Sequence, residues 1–234
     1  MSIQRRNMLI LSEIGLLVGL AAVLLARWQR DQLSFYIHPR YAWLVVSAAV
    51  VLALLALVRL PQLLRQSDEP VSGGPLLMLA VPLLLATLVP PQPLNGATLL
   101  ARGDQLNRIA ATDRRDLSED TRSWDLLAWG YALSLDAEQL AGSPADVVGF
   151  TVPDESNLPD TALLARYVVT CCAADGSAVG LLLAAPGVDT LPADSWVRAV
   201  GTIELREIDG IRQPVLVAAE LTPIEQPAVP YLFP

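Results

Sequence analysis

The sequence predicts a helical membrane part with two to three spans, followed by a mainly-β domain built as a small barrel. Three observations lead there. Residues 1–91 are three apolar runs, about 8–28, 41–60 and 75–89, broken by short polar stretches. Charge divides at the same point: this part has seven arginines against Glu13, Asp31, Asp68 and Glu69, whereas residues 92–234 have nine against twenty acids. Beyond residue 146 the apolar residues form short β-rich runs separated by turn residues. A chain with 53% hydrophobic residues is also too apolar for an ordinary soluble protein.

The first two runs have the roughly twenty apolar residues that cross a hydrocarbon core of about 30 Å. The first is not a cleavable signal: it is too long, and no small-residue cleavage site precedes Arg27-Trp28-Gln29-Arg30. The third run contains Pro82 and reaches only about 22 Å at 1.5 Å per residue. We read it as a short kinked span, with a re-entrant segment as the alternative. Arg5, Arg6, Arg59 and Arg65 on one side outnumber Arg27, Arg30 and Arg40 on the other. The excess of arginine predicts a cytoplasmic N-terminus in the bacterial inner membrane and an extracytoplasmic C-terminal domain.

Glu13 lies about one turn inside the first run. A carboxylate at that depth is either a functional group or one that is protonated or reaches the headgroups. His38, in Tyr36-Ile37-His38-Pro39-Arg40-Tyr41, directly precedes the second span, where polar and aromatic side chains anchor at the interface. Glu13, His38 and Arg40 are thus candidates for contact with lipid or with a membrane partner.

Residues 92–120 read as a stiff, polar linker opening on Pro90-Pro91-Gln92-Pro93. Over 121–145 a short helix is expected, with Trp124, Leu127, Ala128 and Tyr131 on the face that packs on the barrel. The runs 147–152, 165–172, 178–184, 196–206 and 215–221 read as five strands in a domain spanning 146–225, and 226–234 as a Pro-rich tail. Hairpins joining strands two to three and four to five, with Gly149 and Gly201 at tight bends, predict an OB-like five-stranded barrel. Such barrels often bind oligonucleotides, but an acidic domain without a row of exposed aromatics beside basic residues excludes nucleic acid as the first expectation.

Two cysteines and one histidine are too few for a closed zinc site or a disulfide framework. Cys171 and Cys172 are adjacent, so within a regular strand they face opposite sides. The expectation there is one sulfur in the core and one at the rim. At a strand end that restriction relaxes, and a redox pair or a thiolate metal contact with Asp175 becomes possible. No catalytic triad, phosphate loop or paired-carboxylate site is recognisable, so no enzyme is expected and no cofactor is predicted beyond a metal ion of unknown identity.

Several segments together resemble a known family. They are Tyr-Ile-His-Pro-Arg before the second span, Val-Val-Gly-Phe-Thr-Val, Ala-Arg-Tyr-Val-Val-Thr-Cys-Cys-Ala-Ala-Asp, Asp-Ser-Trp-Val-Arg-Ala-Val-Gly-Thr-Ile and Pro-Ala-Val-Pro-Tyr-Leu-Phe-Pro. They resemble the bacterial YcgQ-like family, small membrane proteins described as candidate permease subunits. Arg166, Cys171, Cys172, Asp175, Trp196 and Gly201 match its characteristic block. The resemblance implies pairing with a multi-span permease of the YcgR type, and it carries over no catalytic residue. The function expected is therefore a non-enzymatic accessory subunit of a membrane transporter. A metal or redox sensor using Cys171 and Cys172, and an envelope module binding glycan or peptide, are the alternatives.

Overall fold

The computed structural model describes residues 3–64, 74–102, 120–153, 158–208 and 210–234. Arg65, Asp68 and Glu69, named above, lie outside the described residues. The chain divides into two compact units, Met1–Gln92 and Pro93–Pro234.

The first unit is helical. Helix α1 (Ile3–Gln29) packs against both α2 (Ala42–Leu64) and α3 (Gly74–Leu88). The segments Gln4–Gln29 and Pro39–Leu63 are each long and apolar enough to cross a membrane. Helix α3 has 15 residues and is shorter than a full span, so among the described residues two helices meet that length. Small side chains set the packing. Ala21, Ala49 and Ala56 are buried, and a Cβ added at Gly19 would stand 3.1 Å from the Leu83 side chain. Large apolar side chains such as Trp43, Val58, Leu77 and Met78 point outward. That is the pattern of a helix whose surroundings are themselves apolar. Arg27 ties the ends of two helices together, donating to Gln32 Oε1 at 2.7 Å and to the Ala86 carbonyl at 2.6 Å.

The second unit is a closed five-stranded barrel. Its strands are β1 (Pro144–Val152), β2 (Thr161–Val168), β3 (Ser177–Ala184), β4 (Trp196–Ile208) and β5 (Ile211–Pro223). They close in the order β1-β2-β3-β5-β4, with β4 returning to pair with β1. All neighbours are antiparallel except β3 and β5, which are parallel. This is the OB-like arrangement expected from the sequence, hairpins included. Two glycines let backbones approach. A Cβ at Gly149 would stand 2.8 Å from the Ala165 carbonyl, and at Gly201 it would run into the Val217 carbonyl beside a register shift in the β4–β5 ladder.

Three stretches differ from their sequence reading. Helix α5 (Leu126–Asp136) begins after Trp124, because Asp125 adopts extended dihedrals and caps it by accepting from the Ala128 N–H at 2.8 Å. The preceding Thr121–Ser123 is a 3₁₀ turn. Trp124 nonetheless packs edge-on against Trp129 with ring centres 4.9 Å apart. Residues 92–120 are not wholly irregular: Gly96–Arg102 forms helix α4. The Gly96 N–H donates to Asp194 Oδ1 at 2.6 Å, and Asn95 caps the helix through the Thr98 N–H at 3.1 Å.

The Pro-rich C-terminal segment, read as a tail, packs onto the barrel. Leu232 makes an isolated parallel bridge to Val168, and Tyr231 and Leu232 are buried. The barrel consequently has two apolar clusters. Val147, Leu164, Leu183, Val197, Ile203 and Leu216 fill the first, into which α5 sends Leu126, Leu127 and Trp129. Phe150, Ala165, Tyr167, Ala178 and Trp196 form the second, covered by Leu94, Leu99, Tyr231 and Phe233. The face of β2 and β3 opposite the barrel interior, where such barrels commonly bind ligands, is occupied by the chain itself.

Candidate functional site

Strand β2 ends at Val168, four residues earlier than the run of β-formers in the sequence. The reason is Asp175. Its Oδ1 accepts from the Thr170 N–H at 3.0 Å, and its Oδ2 accepts from the N–H groups of Cys171 at 2.7 Å and Cys172 at 3.3 Å. Those donors would otherwise extend the β2–β3 ladder. One carboxylate thus pulls residues 170–172 into a loop, which returns through the 3₁₀ turn Ala173–Asp175 to β3. Gly176 follows because a Cβ there would sit 2.5 Å from Leu94 Cδ1. The base of the loop is held by the C-terminal segment: the Val169 N–H donates to the Leu232 carbonyl at 3.0 Å, and the Leu232 N–H to the Tyr167 carbonyl at 2.8 Å.

Neither cysteine is in the core. Cys171 is exposed and Cys172 partly exposed, both are free thiols, and their sulfurs stand 3.6 Å apart. The expectation of one core and one rim sulfur fails because the pair lies beyond the strand, where alternation no longer applies. A ligand atom from each of Cys171, Cys172 and Asp175 lies within 4.8 Å of the others. A disulfide would require the sulfurs to close to about 2.05 Å.

The thiol of Cys171 is pushed up to about 12, first by its hydrogen bond to Asp175 and then by that to Cys172. Burial draws Asp175 upward, but the bonds from the Cys171 thiol and from the N–H groups of Cys171, Thr170 and Cys172 outweigh it and hold the carboxylate below its ordinary range. Two pH dependences follow from the signs. Asp175 contributes to loop order at neutral pH and loses that contribution only as acid carries the pH down through its lowered value. Cys171 holds its proton more tightly in the fold, so its contribution is complete below the ordinary 9.0 and is lost as the pH rises towards about 12. Since the thiolate is the nucleophile, Cys171 should alkylate slowly at neutral pH despite its exposure. Asp175→Asn is expected to raise the iodoacetamide rate at Cys171, read by mass spectrometry, by about tenfold or more. An unchanged rate would show that the carboxylate does not control the thiol.

The remaining sequence candidates fall elsewhere. Arg166 does not join the cysteines. Its Nε and Nη2 donate to the carbonyls of Pro230 at 3.1 Å and Val229 at 2.9 Å, and its guanidinium carbon lies 5.6 Å from the centre of the Trp196 ring. Trp196 in turn packs edge-on against Phe150, so the pair clamps the C-terminal segment onto the barrel. Gly149 and Gly201 serve strand approach. In the helical unit, Glu13 forms an ion pair with Arg59 at 3.0 Å, a pairing the sequence reading missed because the two lie on different helices. His38 accepts from the Arg40 N–H at 3.0 Å through Nδ1, capping the 3₁₀ turn Pro39–Tyr41. Its ring also meets Tyr41 edge-on. Asp194, Asn95 and Tyr231 were missed as well. Asp194 and Tyr231 act on backbone about a hundred or more residues away, so no local spacing marks them, and the cap Asn95–Thr98 is hidden within a polar, Pro-rich stretch.

Among curated proteins no match was found. Residues 13–105 match the DUF1980 N-terminal domain and residues 121–234 match the DUF1980 C-terminal domain. The two matches together take in most of the helical unit, α4, α5, the whole barrel and the cysteine loop, and the chain therefore belongs to the DUF1980 family.

Proposed function

We propose that this protein is a non-enzymatic accessory subunit of a membrane transporter, anchored in the bacterial inner membrane with its barrel on the extracytoplasmic side. The observation that carries the reading is the outward face of the helical unit. The two span-length helices among the described residues are too few to enclose a pathway, and the exposed side chains of the unit include Leu54 and Val58 on α2 and Leu77 and Met78 on α3. Such a surface suits lipid or the helices of a larger membrane protein. The resemblance to YcgQ-like proteins supplies the candidate partner, a multi-span permease of the YcgR type. The acidity of residues 92–234 adds support, since it keeps the barrel from adsorbing to anionic headgroups.

The test is affinity purification from native membranes in mild detergent, with a photo-crosslinking residue at Val58 or Met78. A stoichiometric multi-span partner crosslinked there is the expected result. If no membrane protein crosslinks, and deletion of the chain leaves uptake and efflux unchanged, the reading fails. The Glu13–Arg59 pair gives a second prediction. Breaking an ion pair in an apolar surrounding strands the remaining charge. Glu13→Ala and Arg59→Ala should each lower the thermal midpoint in detergent, while the exchange Glu13→Arg with Arg59→Glu should recover most of the loss.

A further inference from the structure

We infer that Cys171, Cys172 and Asp175 form a binding site for one thiophilic divalent cation of the zinc class, held by two sulfurs and one oxygen with a fourth position open to solvent. Sulfur spacing is the first argument. Two thiolates at about 2.3 Å from a tetrahedral ion stand about 3.8 Å apart, whereas a linear two-coordinate ion needs about 4.6 Å. The observed 3.6 Å fits the tetrahedral ion and not the linear one.

Preorganisation is the second argument. The loop does not have to form around the metal, because Asp175 already fixes residues 170–172 through three backbone N–H groups. A carboxylate offers about four acceptor positions. Three are used by those groups, which leaves one position free, and a carboxylate oxygen of Asp175 lies within 4.8 Å of both sulfurs. A cation that replaces the thiol proton therefore meets the sulfur and that oxygen position together. The two thiol protons leave to solvent as the two metal–sulfur bonds form, with no change in oxidation state.

The open position is the third. Cys171 is exposed and Cys172 partly so, which leaves the side of the ion away from the loop to water or to a ligand from another molecule. Three protein ligands and one exchangeable position are the pattern of sites that hand over or use their metal, while structural sites are closed by four. This goes beyond the accessory-subunit reading and does not rest on it. A chain that binds zinc but has no permease partner would keep this inference and lose the other.

The experiment uses the full chain in detergent, reduced and stripped of metal, titrated with cobalt(II) and then with zinc(II). Expected is one equivalent of cobalt with a sulfur-to-cobalt charge-transfer band, displaced by one equivalent of zinc. Cys171→Ser with Cys172→Ser should abolish the band and the zinc binding while lowering the thermal midpoint only slightly, since serine hydroxyls at 171 and 172 still offer a hydrogen-bond donor at each position. Asp175→Glu should retain the band, since both sulfurs remain, and weaken zinc about tenfold, the size of loss expected when a group that orients the ligands is displaced. The inference is overturned if the reduced wild type shows no charge-transfer band, or if the doubly substituted chain binds zinc as tightly as the wild type.

Discussion

Gly201→Val is expected to unfold the barrel. An added Cβ meets the Val217 carbonyl and stands 2.8 Å from Ala218 Cα, and both are backbone atoms of the neighbouring strand. Unlike a flexible side chain, a paired strand cannot step aside without giving up ladder hydrogen bonds. The β4–β5 pairing runs from Val197 to the turn at Ile211, and the register shift at Val200/Gly201 lies within it. Overpacking a core costs about 1–3 kcal/mol, and against fixed backbone the cost should exceed about 3 kcal/mol. That is a large share of the roughly 5–15 kcal/mol that holds a domain folded. The readout is protease resistance and amide exchange of residues 120–234 in the full chain. Gly15→Ala is the control: nothing lies within 4 Å of its added Cβ, so a neutral or slightly stabilising result is expected. If Gly201→Val kept wild-type protection, the close approach of the two strands would not be needed for the fold.

Tyr231→Ala combined with Leu232→Ala should be nearly as damaging, although both lie in what reads as a Pro-rich tail. Tyr231 is 3% exposed and Leu232 7% exposed. The Tyr231 hydroxyl accepts from the Leu94 N–H at 2.8 Å, so one side chain joins the two segments that cover the second apolar cluster. Truncating buried Leu or large aromatic side chains costs about 2–5 kcal/mol each. The expected consequence is wider than lost stability. Without Leu232 seated against Val168, the backbone bonds at Val169 and Tyr167 lose their partner, and the cysteine loop above them loosens. Faster amide exchange at Thr170–Cys172, at a temperature where β4 and β5 remain protected, would register that coupling. Unchanged exchange there would show that the loop is held by Asp175 alone.

Much of the fold was legible in the sequence because the governing signals are local or periodic. Two runs of about twenty apolar residues, five β-rich runs and glycines at close approaches each announce themselves within a short window. The cysteine loop was only half legible. Adjacent cysteines and an aspartate three residues on are visible, but the β-formers Val168-Val169-Thr170 argue for a strand running through them. What ends the strand is a side chain that takes its backbone donors, and propensity does not register that competition. The roles of α4 and the C-terminal segment were illegible for a related reason. Their apolar residues are few and aperiodic, and they are buried only because β2 presents apolar side chains on both faces.

The sequence by itself determined the division into an apolar helical part and an acidic barrel, the number and order of strands, and the closeness of Cys171, Cys172 and Asp175 along the chain. The tertiary structure alone decided that Asp175 turns toward the cysteines' backbone, that Arg166 and Trp196 clamp the C-terminal segment instead of joining the site, and that Glu13 meets Arg59. Patterns of hydrophobicity record which surfaces must be buried. Hydrogen bonds and ion pairs between distant residues leave no such periodic trace, because each depends on one donor and one acceptor brought together only when the chain has folded.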